Sequence, residues 1–310
     1  MSSVAGETEE CHLCCANCGI AGVDDVKLEE CNDCDLVKYC SDKCQENHRE
    51  QHEEECNKRK ALLHDKKLFT QPDETHLGEC HLCFLPLPID QSKSGFYSCC
   101  SNYICMGCVY ANRKSNINDP IEAQCCPFCR QPVSRGNKKD RKRLMKRVKA
   151  NDPVAMKEMG GQCRVEGDYD AAFKYLSKSA ELGHLDAHYR LGIMYWQGEG
   201  VEKNEEKTVY HWEKAAIGGH PYARHGLACI EERNGNIERS VEHFIIAANL
   251  GDEKSMEALW AEFKDGNITK EDLEATLRSH HAAIDATKSE QREEAEKVGT
   301  EHLRQMGLII

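Results

Sequence analysis

Beyond residue 150 the hydrophobic and polar positions of the chain follow the period of an amphipathic helix. Ala187, Leu191, Met194 and Tyr195 stand at i, i+4, i+7 and i+8, which places them on one helix face. The same logic recurs in a later set: Val241, Phe244, Ile245 and Ala248. The helical phase also places the three tryptophans in the core rather than at a ligand-stacking surface: Trp196, Trp212 and Trp260.

The helical pattern repeats. Gly183, Gly219 and Gly251 close successive units at offsets of 36 and 32 residues. Gly183 and Gly219 stand where a helix must end in a left-handed residue. Alanines correspond between units: Ala180, Ala216 and Ala248. We expect about three units, whose stacked helix pairs bury a continuous core and leave a concave surface for binding.

A last helix is predicted to begin near Thr269, whose hydroxyl can cap it while Asp272 stands at the reciprocal position. Its apolar stripe consists of Leu273, Leu277 and Ile284. We expect this stripe to cap the repeat stack. His280 and His281 are adjacent and have no cysteines nearby, so we interpret them as surface histidines.

The 310 residues include 20 cysteines, of which only Cys163 and Cys229 follow Cys129. No apolar stretch near Met1 could serve as a signal peptide, so the repeated C-x2-C pairs favour zinc over a disulfide framework. The longest apolar runs are far shorter than the roughly twenty residues of a membrane span. We therefore expect a soluble protein of the cytoplasm, the nucleus or both, without membrane contact.

A formal net charge of −12 argues against general nucleic-acid binding, because an acidic surface repels phosphate. The stretch from Lys138 to Lys149 is an exception, with eight Lys or Arg and one Asp. It is interpreted as a solvated helix between domains, with a nuclear-import signal or an anion-binding patch as alternatives. Nucleic-acid binding is the weakest alternative, because the stretch lacks interleaved aromatic residues.

Eight soft metal ligands form four pairs near the start of the chain: Cys15, Cys18, Cys31, Cys34, Cys40, Cys44, His52 and Cys56. Four pairs suffice for two tetrahedral zinc sites with no position open to water or substrate. A segment this small cannot bury enough apolar surface to fold unaided, so zinc binding and folding should be one event. His48 shares the helical spacing of His52 and remains an alternative ligand.

The run from Cys15 to Cys56, with Tyr39 before the fifth ligand and a His-x3-Cys ending, resembles the MYND zinc finger. The resemblance implies two interleaved sites, one formed by Cys15, Cys18, Cys40 and Cys44 and the other by Cys31, Cys34, His52 and Cys56. Cys11 and Cys14 could substitute for Cys15 and Cys18, although CANCG is the better family match. MYND fingers generally bind short, often proline-containing peptides, so the resemblance implies a peptide partner.

Four further pairs follow: Cys80, Cys83, Cys99, Cys100, Cys105, Cys108, Cys126 and Cys129. With the ending CPFCR, they resemble a RING finger of the all-cysteine kind. The resemblance implies two cross-braced sites, one formed by Cys80, Cys83, Cys105 and Cys108 and the other by Cys99, Cys100, Cys126 and Cys129. Four zinc ions are therefore expected in the chain.

The third and fourth of these ligands depart from the family pattern, because Cys99 and Cys100 are adjacent and Asn102 stands where a histidine often falls. Neighbouring side chains diverge in extended backbone, so both can bind one ion only if the chain turns there. Cys125 is an alternative to Cys126.

RING fingers typically act as ubiquitin ligases that hold a ubiquitin-conjugating enzyme and its thioester-linked ubiquitin in a reactive posture. Three positions match the family's working surface: Leu82, Pro127 and Arg130. Leu82 would pack on the conjugating enzyme, Pro127 would add a contact and Arg130 would clamp enzyme and ubiquitin together. The implied function is a ligase that selects its substrate through the MYND finger and the repeats. The alternative is a non-catalytic scaffold, which the irregular cysteine spacing favours.

Residues 151–266 resemble Sel-one-like repeats, relatives of tetratricopeptide repeats, through the GxG loop at Gly198 and Gly200 and the WEKAA motif at Trp212–Ala216. The predicted fold is multidomain, with two small zinc-stabilised modules followed by an all-α helical-repeat solenoid. The predicted segments are a disordered N-terminus (1–14), the first finger (15–56), a linker (57–79), the second finger (80–132), a basic linker or helix (133–150), the repeats (151–266), a capping helix (267–298) and a tail (299–310).

Overall fold

A computed structural model of the chain describes residues 14–22, 27–116, 118, 124–133 and 137–299. These residues form two compact units that divide after Thr70. Cys11, most of the predicted disordered N-terminus and most of the predicted tail lie outside the described residues. Among the described helices, none combines the length and the apolar character needed to cross a membrane.

The first unit has two short strands and one long helix. Strands β1 (Glu29–Glu30) and β2 (Lys38–Tyr39) pair antiparallel, and helix α1 (Asp42–Leu68) follows. The Ser41 side chain caps α1 by accepting a hydrogen bond from the Cys44 amide. Because α1 continues to Leu68, the first part of the predicted linker at 57–79 is helical.

The second unit begins with a small module around a β-hairpin. A short 3-10 helix (Gln91–Lys93) leads into strands β3 (Ser94–Tyr97) and β4 (Asn102–Cys105), which pair antiparallel. Helix α2 (Met106–Ser115) follows directly. The core of this module is built largely from cysteines together with Leu87, Ile104 and Val109.

The rest of the second unit is helical. In chain order the helices are α3 (Asn137–Lys149), α4 (Pro153–Val165), α5 (Tyr169–Glu181), α6 (Leu185–Gln197), α7 (Glu205–Ile217), α8 (Pro221–Arg233), α9 (Ile237–Asn249), α10 (Glu253–Lys264), α11 (Lys270–Ala286) and α12 (Glu290–Val298). Helices α4 and α5, α6 and α7, and α8 and α9 pack as successive pairs. Gly183 and Gly219 have φ angles of 83° and 81°, which confirms the predicted left-handed helix ends.

The basic segment is the helix α3, and it is only partly solvated. Leu144 on α3 is fully buried in a hydrophobic cluster with residues of α4, α5 and α6. Arg147 donates to the Cys99 carbonyl and Arg143 to the Pro132 carbonyl. These two arginines, which are partly buried, therefore connect the β-hairpin module to the helix that precedes the repeats.

Three expectations about side-chain exposure were wrong. Trp212 is buried and its indole N–H donates to the Tyr189 carbonyl, but Trp196 and Trp260 are 39% and 45% exposed. The guanidinium of Arg233 lies 5.0 Å from the centre of the Trp196 ring, which explains how that tryptophan tolerates the surface. His280 is buried rather than exposed, and it bonds the Ala248 carbonyl and the Glu253 carboxylate.

The predicted capping helix at 267–298 is two helices. Thr269 caps α11 as predicted, accepting from the Asp272 amide at 3.1 Å. Helix α11 ends at Ala286, where the Thr287 hydroxyl donates to the Ile284 carbonyl. Ser289 then caps the next helix, α12. The first helix packs on α9 and α10, whereas α12 packs on α2 of the hairpin module. The predicted fold class, zinc-type modules followed by a helical-repeat solenoid, is confirmed.

Candidate metal centres

The structure gathers sixteen of the predicted ligands into four groups. The groups are Cys15, Cys18, Cys40 and Cys44; Cys31, Cys34, His52 and Cys56; Cys80, Cys83, Cys105 and Cys108; and Cys99, Cys100, Cys126 and Cys129. Within each group the ligand atoms lie within 4.8 Å of one another. These are the groupings that the two family resemblances imply.

The spacing of the sulfur atoms fits zinc. Four sulfurs at about 2.3 Å from a tetrahedral ion stand about 3.8 Å apart. In the first unit the Cys18–Cys40 and Cys40–Cys44 distances are both 3.6 Å, and the Cys31–Cys56 distance is 3.8 Å. All are far longer than the roughly 2.05 Å of a disulfide bond. The thiols therefore form ligand cages and not covalent pairs.

In the first unit, local structure holds each ligand. The β1–β2 pairing brings the Cys31–Cys34 turn toward α1, where Arg59 forms a two-bond ion pair with Asp35 at 2.5 and 2.6 Å. The Nε2 atom of His52 lies 3.1 Å from the Cys34 sulfur. Burial lowers the pKa of His52, which keeps its ring neutral as a metal ligand requires.

The alternative ligands of the first unit lie elsewhere. The Nδ1 atom of His48 lies 3.1 Å from the Tyr39 hydroxyl, and His48 joins none of the four groups. Cys14 pairs with Ala21 in an isolated bridge and is not part of a group.

The adjacent Cys99 and Cys100 meet the same ion through a turn. The hairpin between β3 and β4 reverses at these residues, with the Cys100 and Ser101 amides both donating to the Tyr97 carbonyl. Cys99 then lies 3.4 Å from Cys129, sulfur to sulfur, and Cys100 lies 3.8 Å from Cys126. The turn that the sequence required is present, and Cys125 remains outside the group.

Hydrogen bonds favour the thiolate form of two cysteines in the second unit, Cys80 and Cys126. Hydrogen bonds from neighbouring thiols, first of all from Cys105, lower the pKa of Cys80, and the thiol of Cys100 does the same for Cys126. Backbone amides add to this, because the Cys108 amide donates to the Cys105 sulfur and the Cys129 amide to the Cys126 sulfur. Such N–H donors stabilise thiolates around a bound metal ion.

The two zinc loops of the second unit meet at an exposed surface. His81 in the loop 80–84 contacts Phe128 in the loop 126–130, with ring centres 5.7 Å apart. Leu82 is 37% exposed and Phe128 is 46% exposed. Arg130 donates to the Asn112 side chain on α2 at 3.2 Å, which extends the surface onto that helix. We call the residues Leu82, Phe84, Phe128 and Arg130 the two-loop surface.

Phe84 and Arg130 occupy equivalent positions, each directly after a C-x2-C pair. Both have positive φ, 56° and 60°, a conformation that costs a residue other than glycine roughly 1 kcal/mol or more. Phe84 is 70% exposed, which is unusual for a large apolar side chain. Its position after the second ligand is the signal that sequence reasoning missed. Pro127, predicted as a contact, is buried, so the exposed apolar residue of its loop is Phe128.

A fifth cluster joins His76, Asp186 and His220. The His76 and His220 rings stack with centres 3.9 Å apart and planes 18° from parallel, so their lone pairs do not converge on one point. Asp186 instead bonds Lys157 at 3.2 Å, Arg190 at 2.9 Å and His220 at 3.3 Å. Burial raises the pKa of Asp186, but Lys157, His220 and Arg190 together hold it well below its ordinary value. The cluster is a buried ion-pair network.

This network joins the hairpin module to the repeats. Lys157 on α4 donates to the Tyr103 hydroxyl at 2.6 Å, and Tyr103 in turn donates to Glu158. The His76 amide donates to the Gly219 carbonyl, and the Tyr222 hydroxyl to the Ile89 carbonyl. Residues 76–103 therefore occupy one side of the helices α4, α6 and α8.

Comparison with known proteins identifies two of the parts. Residues 15–56 match the family model of the MYND finger, and residues 155–184, 185–220 and 223–252 match that of the Sel1 repeat. Neither match covers the eight ligands of the second unit, which lie between Cys80 and Cys129. The MYND and Sel1 resemblances are thereby confirmed.

Relatives share only part of the chain. Chitin synthase regulatory factor 2 of Schizosaccharomyces pombe is 32% identical over 92 residues, 29% of this chain and 18% of that protein. HcpC of Helicobacter pylori is 38% identical over 56 residues, 18% of this chain and 19% of that protein. The matching stretch thus spans less than a fifth of either relative.

Solved structures include two similar chains. A Sel1 repeat protein from Oxalobacter formigenes has a TM-score of 0.43 and 18% identity, covering 65% of this chain and 85% of its own. A protective antigen of uropathogenic Escherichia coli strains has a TM-score of 0.39 and 25% identity, covering 54% of this chain and 35% of its own. From the two family matches and the ligand groups, we conclude that the chain is a zinc-binding protein built from protein-interaction modules.

Proposed function

We propose that the chain is a RING-type ubiquitin ligase whose second zinc module recruits a ubiquitin-conjugating enzyme. The observation that carries the proposal is the two-loop surface. The two zinc loops present exposed apolar side chains beside Arg130, which bonds Asn112 on α2. Phe84 and Arg130 hold costly backbone conformations there. A strained, exposed apolar surface on a rigid metal scaffold is typical of a partner-binding site.

Each residue has a distinct proposed role. Leu82 and Phe128 pack on the conjugating enzyme, and Phe84 extends the apolar contact from the first loop. Arg130 bonds Asn112 in the free protein. Its proposed role is to donate to enzyme and ubiquitin together. Catalysis is by positioning, because holding a thioester and an amine in the right geometry lowers the barrier without a covalent intermediate.

Substrate selection is assigned to the remaining modules. The MYND finger is proposed to bind a short peptide, and the Sel1 repeats to bind a protein substrate. Because one side of α4, α6 and α8 is occupied by residues 76–103, the repeats must offer other faces, such as those with exposed Trp196 and Trp260. The cytoplasm or nucleus, where thiolates stay reduced for zinc, is the proposed compartment.

A scaffold without catalytic activity is the second candidate. It is favoured by the adjacent Cys99 and Cys100, since the turn that unites them departs from the RING spacing. In that function the two-loop surface binds a protein partner without promoting transfer of ubiquitin.

The test is discharge of ubiquitin from a panel of charged conjugating enzymes to free lysine, with the full chain at full zinc content. Accelerated discharge with at least one enzyme supports the ligase. Binding of a conjugating enzyme without acceleration, or no binding across the panel, rejects the ligase and favours the scaffold.

A further inference from the structure

Helix α12 closes the second unit on itself. After α11 packs on the last repeat, α12 packs along α2 of the hairpin module. Ala295 is buried in the same cluster as Cys80, Cys105 and Cys108. On the helix rim, Lys114 pairs with Glu294 at 2.5 Å and Lys93 with Glu296 at 2.7 Å. Residues about 200 positions later in the chain therefore complete the core of the hairpin module.

Arg292 is the centre of this contact. It is buried, and its guanidinium donates to the Pro86 carbonyl at 2.7 Å, to the Leu85 carbonyl at 3.2 Å and to the Cys83 sulfur at 3.4 Å. It also donates to the Thr287 carbonyl at 2.6 Å, which ties it to the start of its own helix. One side chain thus bonds a zinc ligand and the chain that follows it.

The packing against α2 depends on Gly107. A Cβ atom at that position would stand 2.7 Å from the Arg292 side chain and 2.8 Å from its backbone. Since real Cβ atoms do not approach backbone so closely, only glycine admits α12 here. The close approach of α12 to α2 therefore requires glycine at position 107.

The chemistry of these bonds gives Arg292 two effects. Four thiolates around Zn²⁺ leave a net charge of about −2, and a buried cation beside Cys83 offsets part of it. An N–H donor also occupies a sulfur lone pair, which makes the thiolate a poorer target for protons and competing reagents. At the same time, the two carbonyl bonds fix the loop that presents Leu82 and Phe84.

We propose that Arg292 is a positioning residue that retains zinc at the Cys80, Cys83, Cys105 and Cys108 site and holds the 80–86 loop in its partner-binding conformation. The second part rests on the proposed function, and the first part does not. Retention of zinc can therefore be measured whether or not the protein is a ligase.

The test compares Arg292→Met and Arg292→Lys with Arg278→Met, an exposed arginine on α11 that serves as a matched control. Each full-length variant is loaded with zinc, and release is followed by absorbance of a chromogenic chelator. We expect one ion to leave about tenfold faster in Arg292→Met, the size of effect typical of lost outer-shell bonds. Arg292→Lys, which keeps the charge but not the fork of donors, should fall between that variant and wild type.

Equal release from all four proteins would overturn the retention role. If Arg292→Met loses its fold, as judged by helical circular dichroism, the comparison of Arg292→Lys with wild type decides the outcome.

The ubiquitin-discharge assay then tests whether Arg292 holds the 80–86 loop. If wild type is active, Arg292→Met should lose most activity at full zinc content, and wild-type discharge by this variant would reject the positioning of the loop. An inactive wild type would reject the ligase proposal while leaving the zinc result standing.

Discussion

Lys157 and Asp186 form an ion pair in the interior of the second unit, with Nζ 3.2 Å from Oδ2 and both side chains almost fully buried. Arg190 and His220 complete the bonds of the carboxylate. A buried carboxylate with this many donors stabilises the folded state only while all its partners stay in place, because each lost partner leaves a charge without compensation.

We therefore expect Asp186→Asn to lower the free energy of unfolding by about 3–5 kcal/mol. The double variant Lys157→Met, Asp186→Asn should lose less than the sum of its single variants, because it leaves no lone buried ammonium group. Urea unfolding measures both. As control, Glu205→Gln breaks an exposed pair with Arg233 and should cost below about 1 kcal/mol. If Asp186→Asn also costs below about 1 kcal/mol, the buried ion-pair network does not stabilise the fold.

Four zinc ions should copurify with each chain, because sixteen ligands form four closed groups. Metal analysis by mass spectrometry gives the number directly. Cys99→Ser should reduce the count by one, whereas Cys125→Ser, a buried thiol outside the groups, should leave it at the wild-type value. Two ions per wild-type chain would show that the second module does not bind zinc.

Chelation should unfold both zinc modules while the repeats keep most of their helical signal. The repeats are held by apolar stacking, with cores around Leu176, Leu191 and Phe244 that contain no zinc ligand. Their melting temperature should nevertheless fall, because Lys157 loses Tyr103 and α12 loses its support on α2. Circular dichroism during a thermal scan with and without chelator separates these effects. An unchanged melting temperature would mean that the hairpin module adds nothing to the stability of the repeats.

The two-loop surface predicts two distinct defects. Leu82→Ala and Phe84→Ser should weaken binding of the conjugating enzyme about 30-fold, a loss of ~2 kcal/mol that is typical of an interface anchor. Arg130→Ala should permit binding but slow discharge, because it removes a bond that matters in the transition state. Leu182→Ala alters a comparably exposed leucine between α5 and α6 and provides the control. Wild-type discharge by Leu82→Ala and Arg130→Ala at full zinc content would remove this surface from the reaction.

Acid should destabilise the repeats at pH values where the carboxylates are still ionised. Burial is the main cause that lowers the pKa of His184 and of His211 to about 4, and that of His243 to about 3. In the unfolded chain these histidines take up protons near pH 6.5, which the folded state resists, so stability falls as the pH drops from about 6.5 to 4. His184 adds a specific reason, since its ring accepts the Ala187 amide as a helix cap.

Urea midpoints at pH 7.0 and 5.5 measure this dependence. Replacing His243 with Gln should reduce the difference between the two midpoints, whatever it does to their level, because one buried group no longer titrates. Zinc content is measured in the same samples to separate metal loss from histidine protonation. Equal midpoints at the two pH values would contradict the prediction.

Sequence patterns were sufficient where the physical signal is local. Ligand spacing led to four groups because a C-x2-C turn fixes two sulfurs regardless of the rest of the fold, and left-handed glycines such as Gly183 mark helix ends by backbone sterics alone. They were insufficient where a residue's partner lies far along the chain. The local sequence predicts His280 to be a surface residue, but its ring bonds Glu253 and the Ala248 carbonyl in the folded chain. It predicts Trp196 to be a core residue, but the side chain is exposed and lies beside Arg233.

The sequence also did not predict the exposure of Phe84 or the packing of α12 on the hairpin module. The apolar character of Phe84 predicts burial, but its position directly after a C-x2-C pair gives it a positive φ and leaves its side chain exposed. The sequence predicts the polar α12 to be part of the helix that caps the repeats, because its partner Cys83 lies 209 residues earlier in the chain.

That separation also sets an order of events during synthesis. Arg292 is made 209 residues after Cys83, which at 5–20 residues per second is about 10 to 40 seconds later. Cys80, Cys83, Cys105 and Cys108 are all available long before that and can capture zinc while the chain is still on the ribosome. During this interval the Cys83 thiolate lacks its guanidinium partner and is most open to exchange or oxidation. A nascent chain that stalls within the repeats would therefore hold zinc at this site without the hydrogen bond from Arg292 to Cys83.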